Sequence, residues 1–326
     1  MLRILLLIFI PFILQGQVCA QGIDKKDLYG KFAQNQAAQT RFKVAISQTV
    51  EIETDIKPYP PLTQNSYILD VDYNNQRLHV KGETRNDFIE KMMEIASRDK
   101  KGPYVYVRDF YFDKEDLYVK DEFSPKLFEK IEKNDSLYVY TANPCRPYLW
   151  KLMELVRTAG FGNKSVKDAL GMPLGEFLNG FMKYQNDMGP CFGAAVGNLL
   201  AKLDENCIVK VTEIVEKNEP CYELQVRIPE DSVKEFLKEG HDLSVDTVPE
   251  FMQRFVIGKK DFLLKHIEYD YSLKAKTHDW EGKLTEGNVR IRGQIDYEYP
   301  ASELSPLEKY APVDNYIRYK EQKKKP

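Results

Sequence analysis

Residues able to do chemistry are sparse in this chain, and the first to consider are carboxylates. Asp70 with Asp72, and Glu268 with Asp270, are spaced i, i+2 inside alternating stretches, so each pair leaves one face of a β-strand. Carboxylates so placed suit a glycosidase acid/base pair or a hard-cation site, while on a wet strand face the same spacing serves solubility. Gly160-Phe161-Gly162-Asn163-Lys164-Ser165 has the residue types of a phosphate loop without the G-x-x-x-x-G-K-[ST] spacing; Gly160 fits better as the C-terminal cap of a helix over 147–158. His79, His241, His266 and His278 are scattered, and no C-x2-C pair, G-x-S-x-G elbow or H-E-x-x-H run is present. No catalytic residue, metal or cofactor is implied.

The N-terminus speaks to compartment. A short basic start, Met1-Leu2-Arg3, precedes an apolar run from Ile4 to Leu14, and Val18-Cys19-Ala20 has the small or branched residues of a signal-peptidase site, so export with cleavage after Ala20 is expected. The run is shorter than the roughly 20 residues that span a bilayer. Lipid anchoring at Cys19 is the weaker alternative, because Gly16 and Val18 occupy the positions where a lipobox wants Leu and a small residue. The mature protein is then periplasmic or extracellular. Its charges of both signs are interspersed, with 50 acidic and 47 basic residues in the full chain, and no basic stripe points to nucleic acid. The basic run from Arg318 to Lys325 reads as a solvated tail.

Export makes Cys145, Cys191, Cys207 and Cys221 candidates for disulfides, with three possible connectivities. A hairpin of 207–216 with 221–228 sets Cys207 and Cys221 roughly 30 Å apart at the strand rise, which excludes that pair and leaves Cys145 or Cys191 as partner for each.

The elements that must position these residues are mostly strands. A helix is expected after Gln21, with Leu28 and Phe32 four apart, followed by β-structure from Arg41 to Ile56. Residues 66–84 read as a hairpin turning at Asn74-Asn75, with Tyr67, Leu69, Val71 and Tyr73 on one face and Asp70 and Asp72 on the other. A helix at 86–97 and strands at 103–108 and 116–120 follow. From Ser124 to Leu203 helices are expected at 124–133, 147–158, 165–170, 173–184 and 193–203, with one strand at 136–140. Strands resume at 207–216, 221–228, 250–257, 261–272 and 288–299, with a helix at 230–238. The expected fold is α+β: a large, curved, half-barrel-like antiparallel sheet with helices packed on its concave face. It divides into a signal peptide at 1–20, a single α+β domain at 21–310 with a helical insert at about 124–203, and a flexible basic tail at 311–326.

Twenty tyrosines are unusual, and many fall on inward faces. Each buried hydroxyl needs a partner, which a partly hydrated cavity supplies more easily than a dry core. The closing hairpin FVIGKKDFLLKHIEYDYS, residues 255–272, has a strand, a short polar turn and a strand ending in acidic and aromatic residues. With the opening helix, the N-terminal hairpins and the long final strand, it resembles the periplasmic lipoprotein-sorting and lipid-carrier superfamily (LolA/LppX-like) over most of 24–300; the insert at 124–203 departs from that family's compact form. The resemblance implies a non-catalytic carrier for a lipid or acylated ligand, exchanging it with a donor or acceptor membrane protein. The cavity wall it implies comprises Tyr67, Leu69, Val71, Trp150, Phe177, Phe181, Ile267, Tyr269, Tyr271, Ile291, Ile295 and Tyr297. Two rival readings are a secreted hydrolase with its site between sheet and insert, and a surface interaction module with a filled core.

Overall fold

The computed structural model describes residues 24–54, 62–86, 105–113, 116–124, 137–142, 153, 156–157, 203–230, 250–278, 284–305 and 317–318. Helix α1 (Lys25–Ala37) starts where the Asp24 carboxylate accepts the Lys26 N–H, and it buries Leu28, Phe32 and Gln36, spaced four apart on one stripe. Strands β1 (Arg41–Thr54), β2 (Leu62–Asp72), β3 (Arg77–Asn86), β4 (Val105–Asp113), β5 (Asp116–Ser124) and β6 (Leu137–Ala142) follow. A 3-10 turn at Glu205–Cys207 leads into β7 (Ile208–Glu216), β8 (Glu219–Ile228), β9 (Phe251–Gly258), β10 (Leu264–His278), β11 (Leu284–Glu298) and the short β12 (Ile317–Arg318).

These strands form one open sheet in the order β12-β6-β5-β4-β3-β2-β1-β11-β10-β9-β8-β7. Every neighbouring pair is antiparallel except β12 with β6. The two ends of the chain meet at its centre, where β1 lies along β11 with Val44 opposite Tyr297 and Ile46 opposite Ile295. Turn chemistry sets the hairpins. Lys217 and Asn218 take φ of 48° and 67° between β7 and β8, the left-handed pair that a two-residue hairpin turn requires. Asp72 accepts both the Asn75 backbone N–H at 3.1 Å and its side-chain amide at 3.0 Å between β2 and β3. Asp261 accepts the Leu263 N–H at 3.0 Å between β9 and β10.

Alternation gives the sheet two unlike faces. The inner face, on which α1 sits, carries Phe42, Val44, Ile46, Leu69, Val71, Leu78, Val80, Phe255, Ile267 and Ile295, packed with Leu28 and Phe32 into one core. Gln36 locks the helix down: its amide donates to the Arg157 carbonyl at 2.7 Å, while its carbonyl accepts the Leu264 N–H at 3.1 Å and lies 3.0 Å from the Tyr299 hydroxyl. Met153, Val156 and Arg157 are helical, and the first two are buried against the same core.

Several expectations change. The described residues are mostly β, and α1 is the one long helix among them, so the expected α+β balance with several helices on a concave face does not emerge there. The helices expected at 86–97, 165–170, 173–184 and 193–203 lie almost wholly outside the described residues, as does most of those at 124–133, 147–158 and 230–238. Phe110, Tyr111 and Phe112 lie inside β4 and not between strands, because the strand runs on to Asp113. Asp72, expected on a wet face, is 3% exposed and bonded into the turn and to the Leu304 N–H. Cys207 and Cys221 are free, buried thiols, correcting the expected disulfides; Cys145 and Cys191 lie outside the described residues. Burial raises both thiol pKa values, which leaves them protonated.

Candidate functional site on the inner sheet face

The structure brings nine of the twelve expected wall residues onto one face. Tyr67, Leu69, Val71, Ile267, Tyr269, Tyr271, Ile295 and Tyr297 are buried in the shared core, and Ile291 packs against it half-buried. Trp150, Phe177 and Phe181 lie outside the described residues. Alternation in β2, β10 and β11 accounts for the convergence, since every second residue of strands paired in this register must share a face.

The tyrosines divide into two groups. Tyr297 donates to the Val156 carbonyl at 3.1 Å and Tyr111 to the Ser305 carbonyl at 2.7 Å; Tyr299 lies 2.7 Å from the Leu264 carbonyl; Tyr67 shares a 3.4 Å contact with Thr84. These are ordinary satisfied core hydroxyls. Tyr269 and Tyr271 differ, because each hydroxyl accepts a carboxamide N–H, from Gln48 at 3.3 Å and from Gln253 respectively. Neither donates its own proton to an acceptor among the described residues. Burial pushes the Tyr269 phenol up to about 12 and the Tyr271 phenol up as well, so both carry that proton at neutral pH. The rings stack at 5.5 Å with 20° between planes, and Phe251 meets Tyr271 edge-on at 4.6 Å.

Sequence reasoning missed what surrounds them. Following the register from β3 to β9, Thr84 faces Asn65, Asn65 faces Gln48, Gln48 faces Gly293, Gly293 faces Tyr269 and Tyr269 faces Gln253. This is a continuous transverse row of neutral polar groups across six strands of an otherwise apolar face. Asn65, Gln48 and Gln253 are 8%, 6% and 3% exposed. Thr84 donates to the Asn65 carbonyl oxygen at 3.1 Å, and the Asn65 amide nitrogen has no acceptor among the described residues. Gly293 is there for space: a Cβ would stand 2.2 Å from the Tyr269 hydroxyl and 2.7 Å from the Ser47 carbonyl oxygen, so the ring lies across bare backbone. The signal was present in the chain, since Gln48 follows Val44 and Ile46, Asn65 precedes Tyr67 and Leu69, and Gln253 separates Phe251 from Phe255, each a polar residue in an inward register.

The outer face is an ion-pair lattice. Arg254 reaches Glu223 at 2.8 Å, Glu268 at 3.2 Å and Glu216 at 3.4 Å; Arg290 grips Asp270 through two bonds of 2.9 and 2.6 Å; Arg292 pairs with Glu51. His266 lies between Asp296 at 2.9 Å and Glu268 at 3.2 Å, and His79 is 2.6 Å from Asp109. Asp70 pairs with Arg41 and Asp72 is spent on the β2–β3 turn, so both acidic pairs singled out in the sequence are tied into structure. The Arg290 bonds hold the Asp270 carboxyl below its ordinary pKa; burial would raise Glu268, but His266 and Arg254 outweigh it and hold it low. An open hollow of about 840 Å³ is lined mostly by residues of this face, among them Thr49, Arg254, Glu268, Asp270, Arg292 and Gln294, and it also touches Gln253, Tyr269 and Gly293 of the transverse row.

No family model and no curated protein matches the chain. Among solved structures it is similar to a DUF1329 family protein from Desulfovibrio piger, at 12% identity over 87% of this chain and 94% of that one, with a TM-score of 0.20. It is also similar to a beta-barrel-like protein of domain of unknown function DUF1849 from Brucella abortus, at 9% identity over 80% of this chain and 99% of that one, with a TM-score of 0.23. At these identities and TM-scores neither likeness bears on what this chain does.

Proposed function

We propose that this protein is an exported, non-catalytic binding protein that holds a lipid or acyl chain against the inner face of its sheet and exchanges it with a membrane partner. The observation that carries the reading is the pair of buried hydroxyls, Tyr269 and Tyr271, whose protons have no acceptor among the described residues although they stand in an apolar surface that runs across strands β1, β2, β10 and β11. A filled, dry core gives a phenol an acceptor, as it does for Tyr297 and Tyr111. An amphiphile supplies both things this surface wants, methylenes for the apolar rows at about 0.8 kcal/mol each and an acceptor for the hydroxyls. In this reading the wall is formed by Tyr67, Leu69, Val71, Ile267, Ile291, Ile295 and Tyr297.

Hydrolysis is the rival. It asks for a titratable pair free to move protons in a shared cleft. The transverse row has no ionisable group except the Tyr269 phenol, with the Tyr271 phenol beside it in the next row, while on the other face Glu268 and Asp270 are committed to Arg254 and Arg290 and the His79 and His266 rings to neighbouring carboxylates.

The test is a titration of the purified full-length mature protein with a fluorescent fatty acid, repeated with Ile291→Glu. Ile291 is half-buried and packs against the edge of the inner-face core, so a charge there disturbs the fold less than at a fully buried neighbour such as Ile295 while spoiling an acyl surface. Saturable binding that Ile291→Glu abolishes, at unchanged circular dichroism, is the expected result; absence of saturable binding to the wild type refutes the carrier reading.

A further inference from the structure

The transverse row is bracketed on both sides by less polar rows. On one side stand Gly82, Tyr67, Ile46, Ile295, Ile267 and Phe255; on the other, Thr63, Val50, Ile291 and Tyr271. A single polar line across an apolar sheet face is costly to bury unless something uses it. We propose that this row is the seat of an uncharged carbonyl of the ligand, so that the acyl cargo is an ester or an amide and not a free carboxylate; this rests on the carrier reading above.

Two features of the row select that chemistry. The first is its unspent capacity. Gln48 and Gln253 each donate an N–H to a tyrosine oxygen, which turns the hydroxyl protons of Tyr269 and Tyr271 away from them, and the Asn65 amide nitrogen, on a side chain 92% buried, lacks an acceptor among the described residues. What remains on offer, from the row and from Tyr271 beside it, is three neutral donors, which matches the two lone pairs of a carbonyl oxygen and a neighbouring ester or hydroxyl oxygen. The Gln253 carbonyl oxygen, likewise without a donor among the described residues, suits an amide N–H or a glyceryl hydroxyl.

The second feature is charge. A buried carboxylate or phosphate needs a cation beside it. Between β3 and β9 the row and the two rows beside it carry no Lys, Arg or His; Arg254, Arg290 and Arg292 point to the outer face and are paired there with Glu223, Asp270 and Glu51, and the first arginine in register is Arg108 of β4, opposite Gly82 at the far end of one flanking row. A charged headgroup would be desolvated against amides alone, whereas a neutral carbonyl loses little on leaving water and regains its hydrogen bonds in the row.

The experiment uses the full-length mature protein, its Tyr269→Phe and Tyr271→Phe variants and the double variant, with three probes sharing one chain: 1-monopalmitoylglycerol, N-palmitoylethanolamine and palmitate held above its pKa. The ester and the amide are expected to bind at least about tenfold tighter than palmitate. Each Phe variant keeps the ring, and is expected to weaken ester and amide about 2–10-fold while leaving palmitate unchanged. With an isotope-labelled ester carbonyl, the infrared band of the bound ester lies lower in wild type than in the double variant. If palmitate binds as tightly as the ester, or the carbonyl band ignores the double substitution, the row is a structural network and the inference is wrong while the carrier reading stands. If none of the three binds, both fall.

Discussion

Gly293→Ala probes the local packing most sharply, because the structure says what a single methyl group would meet. The new Cβ would lie 2.2 Å from the Tyr269 hydroxyl oxygen, 2.4 Å from the ring carbon that bears it and 2.7 Å from the Ser47 carbonyl oxygen. Non-bonded heavy atoms sit comfortably at about 3.5–4.0 Å, so the ring must move by more than an ångström or the β1–β11 pairing must open. Moving the ring gives up the 3.3 Å bond from Gln48, worth about 1 kcal/mol, and the stack on Tyr271, worth about 0.5–1.5 kcal/mol. Overpacking strain against the Ser47 carbonyl adds about 1–3 kcal/mol, and the stiffer unfolded chain of Ala returns about 0.4–1 kcal/mol. The expected net loss is about 1.5–5 kcal/mol. At about 2–3 °C per kcal/mol for a chain this long, thermal melts should shift down by about 3–15 °C. The control is a double-mutant cycle with Tyr269→Ala, which removes the ring but not the Ser47 carbonyl, so the cost of Gly293→Ala should fall by at least about 1 kcal/mol in that background. Equal cost in both backgrounds would refute the idea that the glycine exists to let the ring lie across the sheet.

Three further outcomes follow from the same geometry. Gln36→Ala strands the Leu264 N–H and removes the anchors of the Arg157 carbonyl and the Tyr299 hydroxyl, and should cost about 2–4 kcal/mol in denaturant unfolding, whereas Lys31→Ala, at an exposed position of the same helix, should leave the unfolding midpoint essentially unchanged. Burial alone would raise the Asp72 pKa, but the bonds from Asn75 and Leu304 outweigh it and hold the carboxyl below 3.8, so the native state binds the proton less readily than the unfolded chain. That contribution to stability is complete above the unfolded pKa and lost as pH falls through the lower folded value; a plot of Tm against pH should drop more steeply at the acid end for the wild type than for Asp72→Asn. Tyr269 has the opposite sign, since its folded value of about 12 lies above the ordinary 10.0: phenolate absorbance in an alkaline titration should lag for Tyr269 relative to the Tyr269→Phe difference expected of a free tyrosine, and the stability tied to this phenol should fade as pH climbs from about 10 towards 12.

The sheet was legible because alternation is a local signal. The hairpins at 62–86, 208–228 and 251–298 follow from it, as does the convergence of Tyr67, Leu69, Ile267 and Ile295 on one face, and turn residues such as Asn74-Asn75 mark where the chain reverses. Side-chain commitments were not legible. Asp72 alternates as a surface residue but is spent on a turn and on Leu304, 232 positions away, and no local pattern encodes that partner. Gln48, Asn65 and Gln253 were passed over because each looks like a lapse in an apolar register; only the register of five strand pairs turns three lapses into one row. The cysteines were half legible: the hairpin separates Cys207 from Cys221 as its spacing predicts, with Cys221 facing Ile214 near the turn, but export only permits disulfides, and both thiols are free and buried.

The central claim is that the inner face holds an acyl ligand, and native mass spectrometry of the mature protein purified from an exporting host tests it most directly, followed by solvent extraction and analysis of whatever co-purifies. One neutral acyl ester or amide per chain, lost when Ile291 is replaced by Glu, is the expected result. A protein that emerges without ligand, takes up none of the acyl probes and keeps its full thermal stability would contradict it, and would make Tyr269 and Tyr271 parts of a core.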